Sequence, residues 1–203
     1  MPRYGEGFVN EFAPEMWDFT TATIPSISVE IPEYKLAMWN IAARQLFNNQ
    51  WTPLGERAVR HFMRRIISSA NAYEMARQSL TSFFINHKRD LPNLDAYFVA
   101  LDSHESCLMS LHIAVNALSK LLPKEEVSNL VADTKEISIL ANNIKHFAGQ
   151  SMSSNGLHNK TFPIFYRNMG ISNGTVTVKY DELEAIISSG LKLASDIINF
   201  RAE

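Results

Sequence analysis

Asn142 and His146 stand four residues apart in the run Ala141-Asn142-Asn143-Ile144-Lys145-His146. On a helix that spacing is one turn, so the two side chains leave the same face and can act together. A second group of reactive types is His104, Glu105 and His112. Glu105 and His112 interrupt the apolar series Leu101, Leu108, Val115, and an ionisable group in such a seam needs a partner if it is buried. Glu105 paired with His112 or His146 would be either a proton-transfer couple or a satisfied core network, the latter being the plainer reading. A third group is basic: Arg57, Arg60, Arg64 and Arg65 with His61 recur along one segment. They form a face able to grip phosphates, or a solvated face paired with Asp95, Asp102 or Glu136.

Several chemistries are disfavoured by what the chain does not contain. No Gly-x-x-x-x-Gly-Lys-Ser/Thr loop or dinucleotide-binding glycine fingerprint occurs. Di-iron carboxylate bundles need Glu-x-x-His on two helices, and this sequence has none. The spacing of His104, His112 and His146 does not resemble a paired zinc motif. We therefore expect neither metal nor cofactor. The formal net charge of -2 gives no general attraction to polyanions, so contact with nucleic acid must be local. The one cysteine, Cys107, cannot form an internal disulfide and fits a reducing compartment. With neither a basic, apolar leader nor an apolar run of about 18 residues, the expectation is a soluble cytoplasmic protein.

The elements that must position these groups are mainly helical. Residues 1–31 carry Pro14, Pro25 and a β-leaning stretch Thr20 to Val29 and are expected to form an extended arm. Residues 32–203 are expected to form a single helical-bundle domain. Pro32 suits a first helical turn, with Leu36, Trp39, Ala43, Leu46 and Phe47 as the inward stripe. Thr52 and Pro53 open a second helix whose seam is Val59, Phe62, Ile66, Ala70, Tyr73, Leu80 and Phe84, reaching Asn86. A break over Lys88 to Pro92 precedes a third, with Leu94, Phe98, Leu101, Leu108, Val115, Leu118 and Leu122 on one side. Pro123, Glu125 and Glu126 begin a fourth, with Val127, Leu130, Thr134, Ile137, Ala141, Ile144 and Phe147 inward, before a polar loop Gly149 to Lys160. Pro163 to Tyr166 and Thr175 to Lys179 flank the turn residues Ser172, Asn173 and Gly174, which predicts a small β-hairpin. Asp181 caps a last helix carrying Leu183, Ile187, Ala194, Ile197 and Ile198 and ending near Arg201. The fold class is thus mainly all-α: an up-and-down bundle of four to five helices with a small β-hairpin before the last.

With the bundle in view, Asn142 and His146 late in the helical order resemble the Arg-Asn-x-x-x-His pattern of the HEPN superfamily. The resemblance covers about six residues and the overall order of helices. It implies a metal-independent ribonuclease site completed across a homodimer, in a family with many inactive members. His146 is then the candidate general acid or base, and Asn142 orients the scissile phosphate. Lys145, Arg57, Arg60 and Arg64 are candidate nucleic-acid contacts. The position of the family's Arg is Ala141, which removes a cation expected to stabilise the transition state. Lys145 lies on a different azimuth and does not replace it. The function the resemblance implies is a catalytically degenerate bundle acting by dimerisation or by binding nucleic acid or protein, in bacterial stress or defence. The alternatives are a protein-interaction scaffold in which Asn142 and His146 cap or cross-link the bundle, and a small-ligand sensor with a cavity lined by Phe62, Tyr73, Phe98 and Leu108.

Overall fold

A computed structural model describes residues 21–48, 52–85, 94–120, 134–151 and 162–199. The described elements are α1 (Tyr34–Asn48), α2 (Pro53–Ile85), α3 (Leu94–Leu118), α4 (Lys135–Ser151), β1 (Phe165–Arg167), β2 (Gly170–Ser172), β3 (Thr177–Lys179) and α5 (Tyr180–Asn199). The chain is mainly all-α, with five helices among the described residues and a small antiparallel sheet before the last. The expectations for residues 1–20, for the break at Lys88 to Pro92, for a helix start at Pro123 and for the end near Arg201 lie outside the described residues.

The spine is α2, 33 residues and about 50 Å long at 1.5 Å per residue. It begins where its capping chemistry dictates: Thr52 Oγ1 accepts the Gly55 amide at 3.1 Å, and Pro53 occupies the first position, where no amide is needed. Its inward stripe of Val59, Phe62, Met63, Ile66, Ala70, Tyr73, Leu80 and Phe83 is buried and packs most extensively against α3. The two helices run antiparallel. Near one end the Phe83 and Tyr97 rings approach to 5.7 Å; in the middle Ser69 Oγ donates to the Cys107 carbonyl at 3.1 Å; towards the other end Ala58 and Ala117 share a cleft. On its other flank α2 takes α5. Gly190 permits that approach, since a Cβ there would stand 2.5 Å from Ile66 Cδ1. The fourth helix packs on α3 and touches β3.

Three expectations are corrected. The first helix opens at Tyr34, with the Glu33 carbonyl accepting from the Ala37 amide, and it is rotated from the expected stripe. Ala37 and Ile41 are buried, while Leu36 and Trp39 are 56% and 72% exposed. A shift of one residue turns a helix face by about 100°, and the small Ala37 faces the core in place of its larger neighbour. The fourth helix does not run through Thr134, which is non-helical; α4 starts at Lys135 and continues to Ser151, past the expected loop start at Gly149. The expected hairpin is a three-stranded meander of order β1-β2-β3. Ser172, Asn173 and Gly174 do turn the chain, but between β2 and β3, with Ile171 opposite Val178. The segment expected to pair with 175–179 pairs instead with β2, Tyr166 opposite Ile171. At the turn, Asn173 Oδ1 accepts the Thr175 and Val176 amides, each at 3.0 Å, and Gly174 takes a φ of 90° that favours glycine.

Residues 21–33 contain no helix or strand and lie along the bundle as an extended strap. Ala22, Ile24, Ile27, Val29 and Ile31 pack against the core. Tyr73 Oη donates to the Pro25 carbonyl at 2.7 Å, and the Ile27 amide donates to Glu74 Oε1 at 2.9 Å. The Ser28 amide donates to Glu184 Oε1 at 3.0 Å.

Candidate functional site

The motif residues sit on α4, whose inward positions Ile137, Leu140 and Ala141 are buried. That packing fixes the azimuth of everything else on the helix. Asn142, Lys145 and His146 emerge at i, i+3 and i+4 on the exposed side. Neither Asn142 nor His146 hydrogen-bonds through its side chain to another described residue, so the expected internal cross-link is absent among those residues. The structural asparagine is its neighbour: Asn143 Nδ2 donates to the Pro163 carbonyl at 2.5 Å, tying α4 to the chain that enters the sheet. Ala141, in the position of the family's Arg, is 1% exposed. A guanidinium there would lose its water, which is strongly unfavourable unless it is paired.

The His104, Glu105 and His112 group is not one site. His104, rather than Glu105 or His112, is the fully buried member. Its Nδ1 lies 2.7 Å from Tyr166 Oη, and the Tyr73, Tyr166 and Tyr180 rings approach its own to 5.9, 5.4 and 6.4 Å. Its Nε2 is buried and has no hydrogen-bond partner among the described residues. Burial pushes its pKa down to about 3, against a smaller opposing pull from the Ala100 carbonyl, so this imidazole is neutral near neutral pH. Glu105 is half-buried; burial first, and the nearby Asp102 second, raise its carboxyl to about 7. No described histidine pairs with it. Cys107 is buried beside Ser69, with its thiol pushed up to about 12, which leaves it unreactive.

His112 does contact α4. Its Nδ1 lies 3.2 Å from Ser138 Oγ and its Nε2 3.0 Å from Asn116 Nδ2. Its pKa is lowered by burial and then by the Lys145 charge. Asn116 in turn lines a cleft of about 260 Å³ between the start of α2 and the end of α3, together with Arg57, His61 and Lys120 above Leu54, Ala58, Ile113 and Ala117. A hydrogen-bonded chain therefore runs from Asn116 through His112 to Ser138 on α4, and at its Asn116 end it shares the cleft with Arg57 and His61. The basic residues of α2 and the motif helix were singled out separately in the sequence; Asn116, Lys120 and Ser138 were missed. A signal for Asn116 existed, since it lies one turn from His112.

Of the arginines, Arg57, Arg60 and Arg64 are exposed and Arg65 is partly buried. Arg60 is paired with Glu56 one turn away. The Asp95, Asp102 or Glu136 partners anticipated for this face do not appear among the described ion pairs. A larger concavity of about 510 Å³ lies between the start of α4, β3 and α5, lined by Glu136, Ile137, Val178, Lys179, Glu182 and Ile186 among others. It includes none of the expected site residues. Of the residues expected to line a sensor cavity, Phe62, Tyr73 and Leu108 are buried in the core and Phe98 is packed against it. Among the described residues no group of three His, Cys, Asp or Glu is placed to hold a metal ion, and no helix is long and apolar enough to cross a membrane. Compared with known proteins, the chain matches no family model, no curated protein and no solved structure.

Proposed function

We propose that this chain is a HEPN-like helical bundle, catalytically degenerate, that acts in the cytoplasm as a homodimer by binding RNA in bacterial stress or defence. The observation that supports the reading is the joint exposure of Asn142, Lys145 and His146 on α4 while Ala141 faces inward. An exposed His and Asn one turn apart remain available to a phosphate. The inward Ala141 leaves the developing charge of a cleavage reaction without its expected counterion. Lys145 is exposed and close enough to act on His112, so it adds positive potential to the same surface without restoring the missing geometry. Binding is retained and turnover is lost.

Wild-type protein and His146→Ala, purified side by side, are to be compared for binding and cleavage of a mixed RNA pool. The expected result is measurable binding by wild type, a several-fold loss in the variant, and background cleavage by both. Cleavage by wild type that disappears in the variant would replace this reading with an active metal-independent nuclease. Absence of any RNA binding by wild type would remove the RNA assignment. A second reading, a protein-interaction scaffold unrelated to RNA, is favoured by the outward apolar stripe of α1, where Leu36 and Trp39 are exposed.

A further inference from the structure

The cleft between the first turns of α2 and the end of α3 has an uneven charge. Arg57, His61 and Lys120 line it and no carboxylate does, although the chain as a whole is net negative. None of the three forms an ion pair with a described residue. One turn from Arg57 the pattern is different: Arg60, outside the cleft, is tied to Glu56. Like charges held around one concavity repel one another, and a bound anion relieves that repulsion.

The residue types also state which anion. Arg57 offers a planar fork suited to two oxygens of a phosphate, Lys120 a compact charge, and Asn116 an amide hydrogen already aligned by His112. The rest of the lining is apolar, made by Leu54 and Ala58 of α2 and Ile113 and Ala117 of α3. A bare inorganic ion would leave that apolar lining unused. An ester carrying a flat or apolar group beside its phosphate would cover it. The volume of about 260 Å³ lies just under the usual range for ligand sites, which suits the phosphate end of one nucleotide unit and excludes an enclosed dinucleotide cofactor.

We propose that this cleft is a binding site for the phosphate of a single nucleotide unit, with Arg57 and Lys120 as the charge contacts and Asn116 as a donor. The unit is either a free nucleotide or one residue of an RNA strand. In the second case the site rests on the RNA reading above, and the strand would continue over the Asn116–His112–Ser138 bridge towards Asn142 and His146.

The test is calorimetric titration of the full chain with AMP, with adenosine and with a single-stranded RNA oligonucleotide, repeated on the Arg57→Ala/Lys120→Ala double variant. Both side chains are exposed and the variant should fold as wild type; Lys192→Ala, an exposed position on α5, controls for loss of charge. If the site takes free nucleotides, AMP binds, adenosine does not, and the double variant weakens AMP at least tenfold while Lys192→Ala does not. If the source is a strand, the oligonucleotide is weakened at least tenfold, and the slope of log affinity against log salt falls by about 1.4 for two lost contacts. Oligonucleotide binding that is unchanged in the double variant, with no AMP binding, overturns the cleft and leaves the RNA reading standing. AMP binding that depends on the cleft without any oligonucleotide binding does the reverse. No binding of either probe overturns both.

Discussion

At the scale of single residues, His104 and Glu105 are neighbours in sequence whose burial acts on protonation in opposite senses. His104 is held neutral by burial, with its pKa lowered from 6.5 to about 3. Between those values the unfolded chain binds the proton that the folded chain refuses. The stability this provides is present above about pH 6.5 and is lost as pH falls towards 3. Glu105 is held protonated, with its pKa raised from 4.5 to about 7. Across that window the folded chain keeps a proton that the unfolded chain releases, so stability falls as pH rises towards 7. The two windows overlap, and the wild-type profile should climb only weakly between about pH 4.5 and 6.5. Glu105→Gln removes one of the opposing terms. Its stability should keep climbing through that interval and exceed that of wild type above pH 7 by about 1 kcal/mol, discounted because Glu105 is only half-buried. Thermal melts from pH 4 to 8 are the measurement; parallel profiles for the two proteins would show that the carboxyl is not held protonated.

The elements explain why some of this was readable in the sequence and some was not. In α2 the apolar residues recur with helical period, and every seam position named from the sequence is buried except Phe84, where Phe83 takes the inward place. Thr52 and Pro53 fixed its start through local chemistry. The first helix misled because it is apolar on two sides, and its larger residues, Leu36 and Trp39, lie on the side that its own bundle does not use. The sheet was half legible. Its turn is carried by Ser172, Asn173 and Gly174, but β2 is three residues long and begins with Gly170, which gives no strand signal. His104 escaped notice as the buried member because polar type argues for exposure, whereas its Tyr166 partner is 62 residues away. The Asn142 and His146 spacing was legible as a shared helix face, and their exposure depended on α3 covering Ala141's side of α4.

The strap is the element whose attachment is most open to a direct test. Glu184 Oε1 accepts the Ser28 amide, Ser28 Oγ at 3.1 Å and Ser188 Oγ at 2.6 Å. One carboxylate thus fastens the strap to α5, while Glu74, itself held by Arg77 at 2.8 Å, fastens the adjoining residue to α2. Glu184→Ala removes the acceptor of the Ser28 amide but no core side chain. Amide exchange at Ser28 should accelerate by roughly tenfold, as for a lost charge-assisted bond of about 1.5 kcal/mol. Amides in the middle of α2, such as Ala70, should keep wild-type rates. Equal acceleration at both places would mean that the strap and bundle open as one unit.

For the whole molecule, the open question is what the outward stripe of α1 meets. The first helix packs on α2 and α5 through Ala37 and Ile41, yet it turns Leu36 and Trp39 to the outside three residues apart, on one face. A Trp that is 72% exposed contributes little to its own fold, but it is the side chain type most often found at the energetic centre of an interface. In a homodimer built on this stripe, the two-fold axis would bring the same apolar patch together from both copies. Trp39→Asp separates folding from association, because at this position it should shift the thermal midpoint little in dilute solution. If the stripe is the dimer interface, wild type sediments as a concentration-dependent dimer, and the variant weakens association by at least about 2 kcal/mol, roughly thirtyfold in Kd. A dimer that survives the substitution unchanged would put the interface elsewhere. The motif face of α4 would be the next surface to test, with His146→Glu read by the same sedimentation. A wild-type monomer at high concentration would instead leave the stripe to a different protein, and that outcome would favour the scaffold reading over a HEPN-like dimer.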